Sequence, residues 1–101
     1  MNTFAALADP TRAEILDVIS RRPRTVNEIV ARFDISQPAI SRHLRVLREA
    51  GLVSVQPRGQ TRVYKLETKP LQEIDTWLSR YRRFWADRLD ALEHHMDEDP
   101  E

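Results

Sequence analysis

The sequence predicts a mainly α chain that carries one small β-hairpin and closes with a long helix. Three observations carry this. Apolar residues recur at helical spacing in successive segments from Phe4 to Leu47. Two β-branched runs, Leu52–Gln56 and Thr61–Leu66, bracket Pro57-Arg58-Gly59-Gln60 as strands bracket a turn. From Pro70 the helical spacing resumes and holds to about Met96. With 101 residues, 41% hydrophobic and 32% charged, the chain fits one domain with a modest core, residues 1–96, followed by an acidic tail at 97–101.

Each element has a local cause. Asn2 or Thr3 is positioned to cap a short first helix containing Phe4, Ala5, Leu7 and Ala8. Asp9-Pro10 restarts the helix, because Asp caps well and Pro at the first helical position has no bonded amide to lose. This second helix should bury Ile15, Leu16 and Ile19 and stop near Arg21, before Pro23. Arg12 in its first turn reads as a surface arginine, with a phosphate contact as the alternative.

Residues 25–51 are the centre of the chain. Thr25 and Glu28 form a capping box for a helix whose apolar residues are Val26, Ile29, Val30 and Phe33. Asp34 supplies the following turn, since a short polar side chain tolerates a left-handed backbone. Ser36 caps the next helix, with Ile35 and Ile40 spaced as a hydrophobic staple, Pro38 in the first turn and Gly51 as the stop. Ile40, Leu44 and Leu47 make its buried stripe, while Gln37, Ser41, Arg45 and Arg48, flanked by Arg42, occupy the other side. A major groove asks for such an inventory: Arg bonds guanine bidentately, Gln bonds adenine, and Ser suits either a base or a phosphate. Residues 52–66, directly after this helix, then read as a wing, with Arg58 and Gln60 at its tip and Arg62 beyond, placed for phosphates or a minor groove. The fold class is a winged helix-turn-helix with a long C-terminal dimerisation helix.

That last helix, 70–96, carries Leu71, Ile74, Leu78, Tyr81, Trp85, Leu89, Leu92 and Met96 in one stripe, widened by Trp77 and Phe84. Leu71 and Ile74 are expected to fold back on the domain. From Trp77 onward the stripe exceeds what so small a core can cover, and a second copy of the chain is the expected partner.

Composition sets further bounds. The chain has no Cys, which excludes disulfides, thiolate metal sites and cysteine catalysis. Net charge is zero, yet residues 1–65 hold 11 Lys+Arg against 6 Asp+Glu, whereas residues 66–101 hold 5 against 10. The local field of the first part suits nucleic acid. No run of about 18 apolar residues and no basic-then-apolar leader occurs, so a cytoplasmic location without membrane contact is expected. No Gly-rich phosphate loop, nucleophile elbow or H-E-x-x-H motif supports an enzyme. Asp87 and Asp90, interleaved with Arg88, have the spacing of surface ion pairs.

In FAALADPTRAEILDVI, ISQPAISRHLRVLREAGLV and RGQTRVYKL, spanning about residues 4–66, the chain resembles ArsR-type winged helix-turn-helix transcriptional repressors, bacterial-type regulators. It is closest in style to compact members lacking metal-binding cysteines. The resemblance implies that Ser36, Gln37, Pro38, Ser41 and Arg42 meet the major groove and that the hairpin touches flanking backbone. It further implies that the terminal helices build a homodimer, assigned here to Phe4, Leu7, Trp77, Leu78, Tyr81, Phe84, Trp85, Leu89 and Leu92. His43 would pack and hydrogen-bond rather than read bases. The family's metal-ligand positions are occupied by Thr25, Asn27, Thr68, Pro70, Tyr81 and Phe84, so no metal or other cofactor is expected, and His94-His95 are a poor chelating pair on a helix. The expected function is a sequence-specific, metal-independent repressor on an inverted-repeat, palindromic double-stranded DNA operator. Two alternatives stay open: a sensor repressor with an effector pocket between the terminal helices, at Trp77, Tyr81, Phe84 and Trp85, and a winged helix that binds protein and not DNA.

Overall fold

A computed structural model describes the backbone of residues 3–98 and the side chains of residues 3–92. Helix α1 (Thr3–Leu7) and helix α2 (Pro10–Arg21) are followed by strand β1 (Arg24–Thr25) and helix α3 (Val26–Val30). Helix α4 (Gln37–Glu49) leads into strands β2 (Val53–Arg58) and β3 (Thr61–Leu66), then helices α5 (Lys69–Ser79) and α6 (Arg83–Glu98). The chain divides into two compact units, residues 1–71 and 72–101.

In the first unit the capping residues act as the sequence predicts. Asp9 accepts from the amides of Thr11 (2.8 Å) and Arg12 (3.1 Å). The amide bonds to Arg12 and Thr11 hold its carboxyl below the usual range, against some desolvation, with the Arg12 charge adding to the effect. The Thr25–Glu28 capping box is complete: Glu28 N–H donates to Thr25 Oγ1 (3.2 Å) and Thr25 N–H to Glu28 Oε1 (3.1 Å). The Thr25 amide lowers the Glu28 pKa most, and the Arg22 guanidinium 3.0 Å away contributes. Ala6, Ile15, Leu16, Ile19, Ile29, Ile40, Leu44, Leu47, Leu52 and Val53 form one core, with Leu7, Val26, Val30, Phe33, Leu66 and Leu71 packed at its edge.

Five local features differ from the sequence reading. Helix α3 ends at Val30, so Phe33, expected among its apolar residues, stands in the bend that follows. Asp34 lies in a bend, but no residue other than glycine has positive φ among those described, so the turn between α3 and α4 needs no left-handed backbone. Ile35 stays 37% exposed although Ile40 is fully buried. The strands extend through Pro57 and Arg58, leaving only Gly59 (φ +63°) and Gln60 as the loop. Pro57 is tolerated because β2 is an edge strand and Pro57↔Arg62 follows the closing pair Arg58↔Thr61, where no ladder amide is required. A third strand, β1, pairs antiparallel with β3 (Arg24↔Tyr64, Thr25↔Val63), giving the order β1-β3-β2. Its Arg24 is only 5% exposed and its Nε has no hydrogen-bond partner; burial first, then Arg22 and Arg32, lowers its pKa.

In the second unit, the single helix expected over 70–96 is two. Residues 80–82 form a tight turn with i→i−3 bonds, Arg80 N–H to Trp77 O (3.3 Å), Tyr81 to Leu78 (2.9 Å) and Arg82 to Ser79 (3.3 Å). Ser79 and Thr76 hydroxyls draw on helix carbonyls just before it, and Arg80 and Arg83 would repel across one helical turn. Among the described residues of this unit, Asp75 and Arg82, 3.9 Å apart, form an ion pair, and Arg88 forms none with Asp87 or Asp90. The rings of Trp77 and Tyr81 (centroids 5.1 Å) and of Tyr81 and Phe84 (6.1 Å) follow one another across the break. Asn2, the His94 and His95 side chains, Met96 in the stripe and the tail's last residues lie outside what is described.

Candidate nucleic-acid interface

Helix α4 is positioned from three sides. Its floor is Ile40, Leu44 and Leu47, each at most 1% exposed. Its N-terminus is fixed by Ser36 Oγ accepting from Ala39 N–H (3.3 Å). Its C-terminus closes in a Schellman motif, with Leu52 N–H bonded to Leu47 O (2.9 Å) and Gly51 N–H to Arg48 O (3.0 Å). That motif needs a left-handed residue, and Gly51 takes φ +76°.

With the floor buried, the other face must be outside. Ser36, Gln37, Pro38, Ser41, Arg42, Arg45 and Arg48 are all exposed, as are Arg58, Gln60 and Arg62 of the hairpin. The hairpin is anchored below by Glu67 N–H bonding Leu52 O (2.9 Å) and Ser54 Oγ bonding Glu67 Oε1 (2.7 Å). Arg62 meets α4 in two shallow grooves. One, of about 240 Å³, is lined by Thr25, Val26, Asn27, Gln37, Thr61 and Arg62. The other, of about 280 Å³, is lined by Ser41, Leu44, Arg45, Arg48, Arg62 and Tyr64. The structure thus joins Arg62 to Gln37, Ser41, Arg45 and Arg48, whereas Arg58 and Gln60 stand at the tip and line neither groove. Sequence reasoning missed Thr25, Asn27, Thr61 and Tyr64 as groove walls. The first two were read for capping and for absent metal ligands, and only the pairing of β1 with β3 brings them beside the wing.

Arg12 is neither an idle surface residue nor directed at solvent. Its Nε donates to Ala6 O (2.8 Å) and its Nη2 to Ala5 O (3.3 Å). Nη1 lies 3.5 Å from His43 Nδ1 and 3.8 Å from Asp9 Oδ2. His43 is half-buried with this hydrogen-bonding role.

A turn-linked helix pair with an exposed polar face and an adjoining basic hairpin defines the winged helix-turn-helix class. Residues 9–55 match the family described as bacterial regulatory protein, arsR family. The chain is 39% identical over 80 residues to the transcriptional repressor SdpR of Bacillus subtilis (strain 168), covering 79% of this chain and 89% of that one. It is 37% identical over 94 residues to the HTH-type transcriptional regulator Rv2034 of Mycobacterium tuberculosis, covering 93% and 85%. A solved ArsR-like transcriptional regulator from Rhodococcus sp. RHA1 superposes with TM-score 0.72 at 33% identity, covering 90% of this chain and 86% of that one. The chain belongs to the ArsR family of DNA-binding transcriptional regulators, which are not enzymes. No helix among the described residues is long and apolar enough to cross a membrane.

Proposed function

We propose that this chain is a cytoplasmic, homodimeric repressor that binds an inverted-repeat operator and needs no metal. The observation that carries the reading is the two-sided α4: Ile40, Leu44 and Leu47 are sealed in the core, while Gln37, Ser41, Arg42, Arg45 and Arg48 stand exposed beside Arg62 of the wing. In this reading Gln37, Ser41 and Arg42 meet base edges, and Ser36 and Pro38 set the entry of the helix. Arg45, Arg48, Arg58, Gln60 and Arg62 attract or contact phosphate. Two such helices about a two-fold axis reach successive major grooves about 34 Å apart and occlude polymerase.

The dimer is assigned to Phe4 and Leu7 of α1 and to the α5–α6 stripe. Phe4 is 52% exposed, Phe84 62%, Leu89 53% and Leu92 55%, so much apolar surface is left for a partner. Metal independence is supported by the missing Cys and by Thr25 and Asn27 where the family's thiolate ligands stand. The SdpR relative is itself named a transcriptional repressor.

Fluorescence anisotropy with the DNA upstream of the protein's own gene tests this. Saturable binding to a pseudo-palindrome, falling linearly in log affinity against log salt and unchanged by EDTA or added zinc, is expected. A monomer indifferent to all duplex DNA at low salt would refute it in favour of a protein-binding winged helix. An effector pocket at Trp77, Tyr81, Phe84 and Trp85 instead predicts a metabolite that changes tryptophan fluorescence and releases the DNA. The mutual ring contacts of Trp77, Tyr81 and Phe84 favour packing.

A further inference from the structure

One side chain ties three helices together, and only one of them carries the reading face. Arg12 sits in the first turn of α2, where the helix leaves its own amides to be capped by Asp9. Its guanidinium is not spent on that cap. The Nε and Nη2 protons go to Ala6 O and Ala5 O of α1. The remaining nitrogen, Nη1, faces His43 Nδ1 at 3.5 Å, across 31 residues of sequence. The Arg12 side chain is only 18% exposed, and Asp9 Oδ2 stands 3.8 Å from the same Nη1.

The chemistry of this contact has one direction. A guanidinium is a donor only, so His43 must present Nδ1 as a lone pair and carry its proton on Nε2. His43 lies between exposed Arg42 and fully buried Leu44 on α4. Neighbouring helical residues project about 100° apart, so a side chain held at 43 fixes the rotation of α4 about its own axis. The apolar floor formed by Ile40, Leu44 and Leu47 seats α4 through non-directional contacts. A polar contact on the rim is directional.

We infer that Arg12 is a positioning residue for DNA recognition: through His43 it sets the roll of α4, and hence the aim of Arg42 and Ser41, relative to the end of α1. Arg12 itself touches no DNA. This rests on the reading of α4 as the groove-binding helix. Its consequence is a specificity determinant on α2, outside the turn motif.

The experiment compares operator affinity and salt dependence for wild type, Arg12→Gln, His43→Phe, the double variant and His43→Asn. Arg12→Gln and His43→Phe should each lower operator affinity about tenfold, as loss of a hydrogen bond to a charged group does. Their salt slopes should equal that of wild type. The double variant should lose no more than either single one, and His43→Asn, which keeps an acceptor at the Nδ1 position, should recover most of the affinity. A slope shallower by about one unit for Arg12→Gln would make Arg12 a phosphate contact and overturn the inference, as would additive losses or no loss. Imidazole ¹⁵N shifts of the unmodified protein test the contact however the variants fold: an unprotonated His43 Nδ1 is expected, and a protonated one overturns it. Wild type that ignores every operator fragment would instead sink the DNA-binding reading itself, whereas wild type that binds while all variants match it sinks only the role of Arg12.

Discussion

The two units of this chain hold similar fractions of apolar residues and use them to opposite ends. In residues 3–71 the aliphatic side chains meet one another: Ile15, Ile19, Ile29, Ile40, Leu44, Leu47 and Leu52 are all at most 1% exposed. In residues 72–92 no side chain is buried, and Trp77, Leu78, Tyr81, Phe84, Leu89 and Leu92 are each between 38% and 62% exposed. The first unit has a core of its own. The second leaves its large apolar side chains at the surface, as the proposed dimer requires.

The sharpest test of that contrast is truncation on either side. Leu44→Ala should cost about 2–5 kcal/mol, enough to unfold much of the protein, as read by urea denaturation. Leu89→Asp combined with Leu92→Asp should leave the first unit folded by circular dichroism and shift the sedimenting species from dimer to monomer. A double variant that stays dimeric would move the interface elsewhere. Next in size, Arg42→Ala should weaken operator binding by about 1–3 kcal/mol and blur the preference over random DNA; equal losses on both DNAs would reduce Arg42 to a phosphate contact.

The smallest expected effect concerns acid. Asp9 and Glu28 have native pKa values below their ordinary ones, each chiefly through a backbone amide it accepts from, Arg12 for Asp9 and Thr25 for Glu28. For a carboxylate lowered on folding, the unfolded chain binds the proton more readily. The stabilisation is therefore whole above the ordinary carboxylate range and is lost as pH falls through the lowered native value, below about pH 5. Asp9→Asn with Glu28→Gln should flatten the melting temperature over that acid range. A profile as steep as that of wild type would place the acid sensitivity in other carboxylates.

The same contrast marks what the sequence could reveal. Signals within a few residues were legible: Asp9-Pro10, the Thr25–Glu28 box, Ser36 and Gly51 at the ends of α4, and the i, i+4, i+7 spacing of Ile40, Leu44 and Leu47. Strand β1 was not, since two residues show no alternation and Arg24-Thr25 is extended only because β3 pairs with it. The turn at 80–82 was hidden because the apolar stripe runs on through it, and spacing alone does not distinguish a tight turn from a continuing helix. Arg12 resembled a surface charge because each of its acceptors belongs to another segment, which no local pattern displays.

The Schellman closure at Gly51 carries one more implication. Between the last residue of α4 and the first of β2 stand only Ala50, Gly51 and Leu52, with Leu52 fully buried and both amides of the motif bonded. A side chain at 51 would have room, its Cβ 3.6 Å from Pro70 Cγ, so the obstacle to substitution is the left-handed backbone alone, about 1–2 kcal/mol. Helix and hairpin are thereby set like the two jaws of a fixed gauge. Under the proposed DNA-binding reading, a duplex whose groove width departs from that opening would have to deform to be accepted, and binding would then select for the pliancy of the bases lying between the contacts as well as for the letters touched.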